Sequence, residues 1–323
     1  MNQRALEFIE NSFISSLLKD KNVTDISYNG VSFFYVHNDK GRLKFKIKVT
    51  SEDVVNFVRQ IANFTEKQFS YTIPTLDVSV GKYRINAMHP SIVRVENDKS
   101  CSFSLRIGSK ETRIRPNSEF ISKECEEFLV NCLDKGRSLV IAGPTGSGKT
   151  ELQKYLLSKL RKNSRVIVID NIQELENLRQ FEDLDLTSWQ VSPNNPNASM
   201  EELIKNALRS NPDWLVVAEA RGKEMNEVLT SVMTGHPIIT TIHAESLEAI
   251  PKRICRMIMK ADTTQKYEDI YDDVYDHIKY YVYLNRKFSS DEKVLRYVES
   301  VGELQKDGTM KVIYRRKDNE KAN

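Results

Sequence analysis

The stretch that most limits what this chain can fold into is Val140–Thr150, VIAGPTGSGKT. It fits the pattern G-x-x-x-x-G-K-[ST] at Gly143, Gly148, Lys149 and Thr150. Such a loop works only between a buried strand and a helix. Its glycines let backbone N–H groups turn inward around an anion, and the helix N-terminus adds its own attraction. The flanks comply: SLVIAG before it is a continuous apolar run, and TELQKYLLSKL after it reads as a helix. Residues Gly143, Pro144, Thr145, Gly146, Ser147, Gly148, Lys149 and Thr150 are therefore read as a nucleotide-phosphate cradle. In it Lys149 neutralises the β- and γ-phosphates and Thr150 binds Mg2+ through its hydroxyl.

A cradle alone cleaves nothing. Hydrolysis needs a carboxylate at the end of a neighbouring strand to orient or deprotonate water. DWLVVAEARG supplies Glu219 there, after a buried strand; the residue before it is Ala218, so the usual Asp-Glu pair is absent and Glu219 acts on Mg2+ through water. VIVIDNIQEL offers Asp170 and Glu174 at a second strand end. TTIHA puts His243 at the end of another strand, where it either meets a γ-phosphate, couples to a neighbouring subunit, or is a satisfied buried histidine.

The strands around these residues, SLVIAG, RVIVID, WLVVAEA and PIITTIHA, are apolar throughout, as parallel strands covered on both faces should be. Helical stretches alternate with them, including SEFISKECEEFLVNCLDKG and SMEELIKNALRS, the latter opened by Ser199 and Glu202. The second part of the chain is thus an α/β sheet with crossover helices, expected over 119–323. The first part, 1–110, mixes strand and helix: a one-faced helix over the first 22 residues on Leu6, Ile9, Phe13 and Leu17, a hairpin turning at NDKG, a helix from Ser51 to Ala62, and strands at TLDVSV and YRINAM. Polar, proline-bearing residues 111–118 read as a linker. In the hairpin's second arm Lys44, Lys46 and Lys48 share one face, either a solvated, lysine-guarded edge or a contact for an anionic surface.

Composition narrows the setting. Residues 1–115 hold 18 Lys and Arg against 12 Asp and Glu, but the whole chain carries only +3. That balance argues against direct nucleic-acid binding. Cys101, Cys125, Cys132 and Cys255 form no CxxC pair, which suits buried free thiols in a reducing compartment. The N-terminal stretch carries Glu7 and Glu10 where a signal peptide would be apolar, and no run approaches the ~20 residues that span a bilayer. The expectation is a cytoplasmic protein whose membrane contact is peripheral.

In order and spacing, GPTGSGKT, VIVIDNIQEL, LIKNALRSNPDWLVVAEARG and TGHPIITTIHA, with VTDISYNG and YRINAMHP…SLRI before them, resemble the secretion and traffic ATPases of type II and type IV secretion, pilus assembly and conjugation. The resemblance implies a RecA-like P-loop ATPase domain behind a smaller α+β domain, with ATP bound between the two in a homo-hexamer. It implies work with inner-membrane secretion or conjugation components, at the inner face of the cell membrane. It also implies arginines of the N-terminal domain that reach the phosphates, and Arg84 and Arg106 stand at the matching positions; Arg113 and Arg115 are further candidates. Glu219, Glu174 and His243 complete the implied catalytic set. The chain departs from the family at Asn171, where a carboxylate is usual, at His89-Pro90, where two prolines are usual, and at Ala218, where glycine is usual. The first departure bears on turnover.

With no tetracysteine zinc module and a short N-terminal domain, the chain is most similar to the VirB-type branch. Tad-type pilus ATPases are the near rival, and a nucleic-acid-translocating P-loop motor is a further one. A kinase or GTPase shares the loop but leaves TGHPIITTIHA unexplained. A non-hydrolysing ATP-binding scaffold is suggested by Asn171.

Overall fold

The computed structural model describes residues 3–96, 98–108, 112–114, 119–171, 175, 181–192, 195–261, 264–288 and 294–317. The chain divides into two compact units, Met1–Lys110 with Phe288–Val294, and Glu111–Lys287 with Leu295–Asn323.

The first unit runs α1 (Gln3–Glu10), α2 (Ser15–Leu18), β1 (Val23–Tyr28), β2 (Phe33–His37), β3 (Gly41–Phe45), α3 (Ser51–Phe64), β4 (Thr75–Val80), β5 (Tyr83–Met88), the short ribbon β6 (Arg94–Val95) and β7 (Asp98–Lys99), and β8 (Ser102–Ile107). Its main sheet is antiparallel in the order β3-β2-β1-β8-β5-β4. Strand alternation sends Ile26, Ile85 and Leu105 into one core with Ile9, Phe57 and Ile61 of the helices. Phe8, Phe13, Phe33, Phe57 and Phe103 meet there in stacked, tilted and edge-on contacts. Each fully buried ring of this kind stabilises by about 1.5–3 kcal/mol.

Two expectations are corrected here. In place of one helix over the first 22 residues, the described residues hold two, α1 and α2. Asn11 turns its side-chain amide onto the Glu7 carbonyl at 2.9 Å and Ser12 its hydroxyl onto Ile9 at 2.7 Å. Capture of helix carbonyls by short polar side chains ends α1 at Glu10. Helix α3 starts at Ser51 as expected, capped by Thr50 in a reciprocal capping box with Asp53, but runs two residues beyond Ala62. Lys44, Lys46 and Lys48 are exposed on or beside β3, at the sheet's edge.

The second unit runs α4 (Lys123–Asp134), β9 (Leu139–Ala142), α5 (Lys149–Leu157), β10 (Arg165–Asp170), β11 (Asp185–Gln190), α6 (Met200–Leu208), β12 (Trp214–Val217), α7 (Met225–Met233), β13 (Ile238–Ile242), α8 (Ala249–Ile258), α9 (Tyr267–His277), β14 (Tyr280–Phe288), β15 (Val294–Leu304) and β16 (Met310–Arg315). One sheet holds them in the order β11-β10-β12-β13-β9-β14-β15-β16. From β11 through β14 every pairing is parallel, while β15 and β16 are antiparallel.

Every residue of β9, β12 and β13 is buried, because helices cover both faces. Leu139 and Ile141 face α4 and α5; Val140 and Ala142 face the layer of α6 to α9. All four cysteines are buried free thiols, and burial pushes their pKa values up, Cys101, Cys132 and Cys255 to about 11 and Cys125 to about 12. Among the described residues no helix is long and apolar enough to cross a membrane.

Candidate nucleotide site

The cradle lies where the central strands end. Ala142 closes β9, and the next residue, Gly143, begins the loop that leads into α5. The crevice beyond the carboxyl ends of parallel strands is where open α/β sheets bind ligands. Gly146 and Gly148 hold φ of +74° and +98°, the left-handed region that other residues adopt only under strain. Gly148 is the N-cap of α5 in that conformation and makes no side-chain hydrogen bond there, so the helix N-terminus follows directly on the loop.

Lys149, the first residue of α5, is buried. Its ammonium donates to the carbonyls of Gly143 at 3.0 Å and Pro144 at 3.1 Å, and lies 3.4 Å from His243 Nδ1. Because all three Nζ–H groups are donors, His243 Nδ1 must accept. His243 is then the neutral tautomer with its proton on Nε2, which lies 3.0 Å from Glu219 Oε1. Partial desolvation of the exposed ring and the Lys149 charge hold the His243 pKa below its ordinary value, outweighing the pull of Glu219, in keeping with the neutral ring.

Glu219 follows β12 and is gripped from its other side, where Arg221 Nη2 donates to Oε2 at 2.8 Å. Burial raises the Glu219 pKa, but the hydrogen bond and charge of Arg221, with His243 and Lys149 behind, outweigh it and hold the carboxyl below its ordinary range. Glu219 is therefore a carboxylate at neutral pH. Its Oε1 is buried and, despite His243 at ion-pair distance, has no donor aligned on it. An oriented, ionised and unsatisfied carboxylate oxygen is what a water-activating group requires. Glu224 accepts from the backbone N–H groups of Arg221 and Gly222, which fixes the turn after Glu219.

Gln153, one turn along α5 and fully buried, donates to the carbonyls of Val217 at 3.1 Å and Ile239 at 3.4 Å. It ties α5 to β12 and β13 and so fixes the spacing between Lys149 and Glu219. Ser147 Oγ is buried with no hydrogen-bond partner. Left-handed glycines, a buried lysine, and orphaned oxygens on Ser147 and Glu219 together fit a nucleotide phosphate with its cation; Thr150, half-buried one residue after Lys149, carries the hydroxyl for Mg2+.

The remaining sequence-derived candidates divide. Asp170, at the end of β10, is buried and accepts from Leu175 N at 3.1 Å, so the second acidic strand end reaches the same sheet edge. Glu174 and Arg115 lie outside the described residues. Arg84 and Arg106 belong to the first unit, directly opposite each other on β5 and β8. Arg84 is paired with Asp77 at 3.2 Å, and Arg106 lies 4.0 Å from Asp25. Arg113 donates its backbone N–H to Glu151 of α5 at 2.7 Å. Arg221 and Gln153 were not singled out from the sequence. Arg221 stands two residues after Glu219, a spacing that signalled it; a buried Gln in a helix gives no such sign.

A family model described as type II/IV secretion system protein matches residues 102–274, more than half of the chain. The chain belongs to the type II/IV secretion system protein family. The resemblance read from the four motifs is borne out at that level. An uncharacterized Bacillus anthracis protein is 29% identical over 95% of this chain and 70% of its own length. The type IV secretion system protein VirB11 of Bartonella quintana is 24% identical, over 77% of this chain and 80% of its own. The chain spans only 32% and 40% of two uncharacterized Methanocaldococcus jannaschii relatives. Among solved structures, the ATPase DotB of Legionella pneumophila superposes with a TM-score of 0.63, at 19% identity, over 95% of this chain and 81% of that one. The fold is therefore a RecA-like P-loop domain preceded by a smaller α+β domain, as the motifs implied.

Proposed function

We propose that this chain is a Mg2+-dependent ATP hydrolase that works as a cytoplasmic homo-hexamer at the inner face of the membrane and powers a type IV secretion or conjugation apparatus. The observation that carries this reading is the line Lys149–His243–Glu219–Arg221 at the mouth of the phosphate loop. Family membership, with VirB11 among the relatives, directs it toward secretion.

Each residue then has a role. Residues 143–150 cradle the phosphates, and Lys149 exchanges its loop carbonyls for phosphate oxygens. Thr150 holds Mg2+ directly and Glu219 holds it through water. Bound Mg2+ supplies neutralisation of the charge that develops on the phosphates. Glu219 orients and deprotonates the attacking water, and neutral His243 stands between it and Lys149. Glu174, Arg84 and Arg106 complete the set, the arginines by offering forked charge to phosphate. Closing and opening of an N-terminal domain (1–110) on an ATPase domain (119–323), through residues 111–118, turns each cycle into movement.

The test is phosphate release by the purified chain with and without Mg2+, alongside light scattering with and without ATP. The reading expects Mg2+-dependent release, lost in Lys149→Ala, and a mass six times that of the chain. Release that survives Lys149→Ala overturns the site, and a monomer in both conditions overturns the ring.

A further inference from the structure

The sequence motifs leave the last strands of the second unit without a role, yet these strands, with Phe120 held between them and the loop, approach all three glycines of the phosphate cradle. At Gly143, a Cβ would collide with the carbonyl oxygen of Leu284 on β14. At Gly146, a Cβ would stand 2.9 Å from Nη1 of Arg286, also on β14. Arg296, on β15, donates from Nε to the Gly146 carbonyl at 2.8 Å. At Gly148, a Cβ would lie 2.7 Å from the ring of Phe120, whose own carbonyl accepts from Val298 N of β15 at 2.8 Å. The arrangement follows from topology: β14 pairs in parallel with β9, and β15 lies next to β14.

A loop that needs three glycines because one wall presses on it is held by that wall. The wall also carries charge at its middle. Two guanidinium groups converge on Gly146, in the same unit as Lys149. Arginine remains charged at any working pH, and its fork matches both carbonyl and phosphate oxygens.

We propose that Arg286 and Arg296 form a second arginine pair for the nucleotide, supplied by the same domain as the phosphate loop: Arg296 positions the loop through the Gly146 carbonyl, and Arg286 adds its charge to the hold on the terminal phosphates. This rests on the reading of the loop as an ATP site. The two arginines act differently and so have different signatures. Losing Arg296 loosens the loop itself, with or without nucleotide. Losing Arg286 weakens the more highly charged triphosphate more than the diphosphate.

The experiment uses the full chain and fluorescent analogues of ATP and ADP, titrated to equilibrium with Mg2+ present. Amide hydrogen exchange over residues 143–150 is followed in the nucleotide-free protein. Arg296→Gln is expected to speed that exchange and to weaken both nucleotides by about tenfold. Arg296→Lys, which keeps the charge and loses the fork, is expected to behave like the Gln variant. Arg286→Gln is expected to weaken ATP by about tenfold but ADP by less. Arg315→Gln, at an exposed position of β16, is the control expected to match the wild type.

Wild-type affinity for both nucleotides in Arg286→Gln and Arg296→Gln, while Lys149→Ala loses binding, overturns this inference and leaves the ATP site standing. If the wild type binds neither analogue, the ATP site and the arginine pair fall together. Equal weakening of ATP and ADP by Arg286→Gln overturns its role on the terminal phosphates.

Discussion

At the scale of single residues, Glu219 owes its charge to Arg221. Burial works to protonate it, and the guanidinium 2.8 Å away works against that and prevails. Removing the guanidinium reverses the balance: in Arg221→Gln the carboxyl pKa rises, so its ionised form is lost at a higher pH. The acid limb of the kcat/KM profile should therefore move to higher pH, while His243→Gln should move it less. Gly148 makes a second prediction at this scale. It sits at φ +98° with the Phe120 ring against the place where a Cβ would be. Gly148→Ala should destabilise the second unit by about 1–3 kcal/mol, read as the urea midpoint of unfolding. Nucleotide affinity should fall with it.

At the scale of elements, α4 and α5 are clasped outside the site. Glu126 of α4 accepts from Tyr155 of α5 at 2.6 Å and from Lys159 just beyond it at 2.8 Å. Burial raises the Glu126 pKa, but the hydrogen bonds of Lys159 and Tyr155 outweigh it, and the folded value lies below the ordinary one. A depressed carboxylate contributes stability that is present above its unfolded value of about 4.3 and lost as pH falls through the folded value. Acidification from about pH 7 to about pH 3 should therefore cost the wild type more of its unfolding free energy than Glu126→Gln.

The elements also show how far sequence reasoning reached. Strands β9, β10, β12 and β13 were legible because parallel strands buried on both faces must be apolar throughout, and Glu219 and His243 were legible as the polar residues that end them. The break between α1 and α2 was not, because the apolar spacing continues through it; only the side chains of Asn11 and Ser12 reveal where helix carbonyls are captured. Nor was the contact of β14 and β15 with the loop. Arg286 and Arg296 lie about 140–150 residues from Gly146, and nothing local in either stretch points to it; sheet order alone brings them there.

At the scale of the whole molecule, the proposed function asks the first unit to supply charge to a site whose loop lies in the second. Arg84 and Arg106 suit that role, because they stand opposite each other, and Asp77 beside Arg84 and Asp25 beside Arg106 are exposed carboxylates. Exposed ion pairs of this kind contribute about 0–1 kcal/mol, so exchanging Asp77 for a phosphate costs Arg84 little. Arg84→Gln and Arg106→Gln should each lower ATP turnover by about tenfold or more while leaving the thermal midpoint nearly unchanged. The most direct measurement of the central claim is ATP turnover by Glu219→Gln with nucleotide affinity measured on the same protein. A water-activating carboxylate predicts that turnover falls by about 100-fold or more while ATP still binds as in the wild type. Turnover that persists at the wild-type rate, with binding intact, would contradict it.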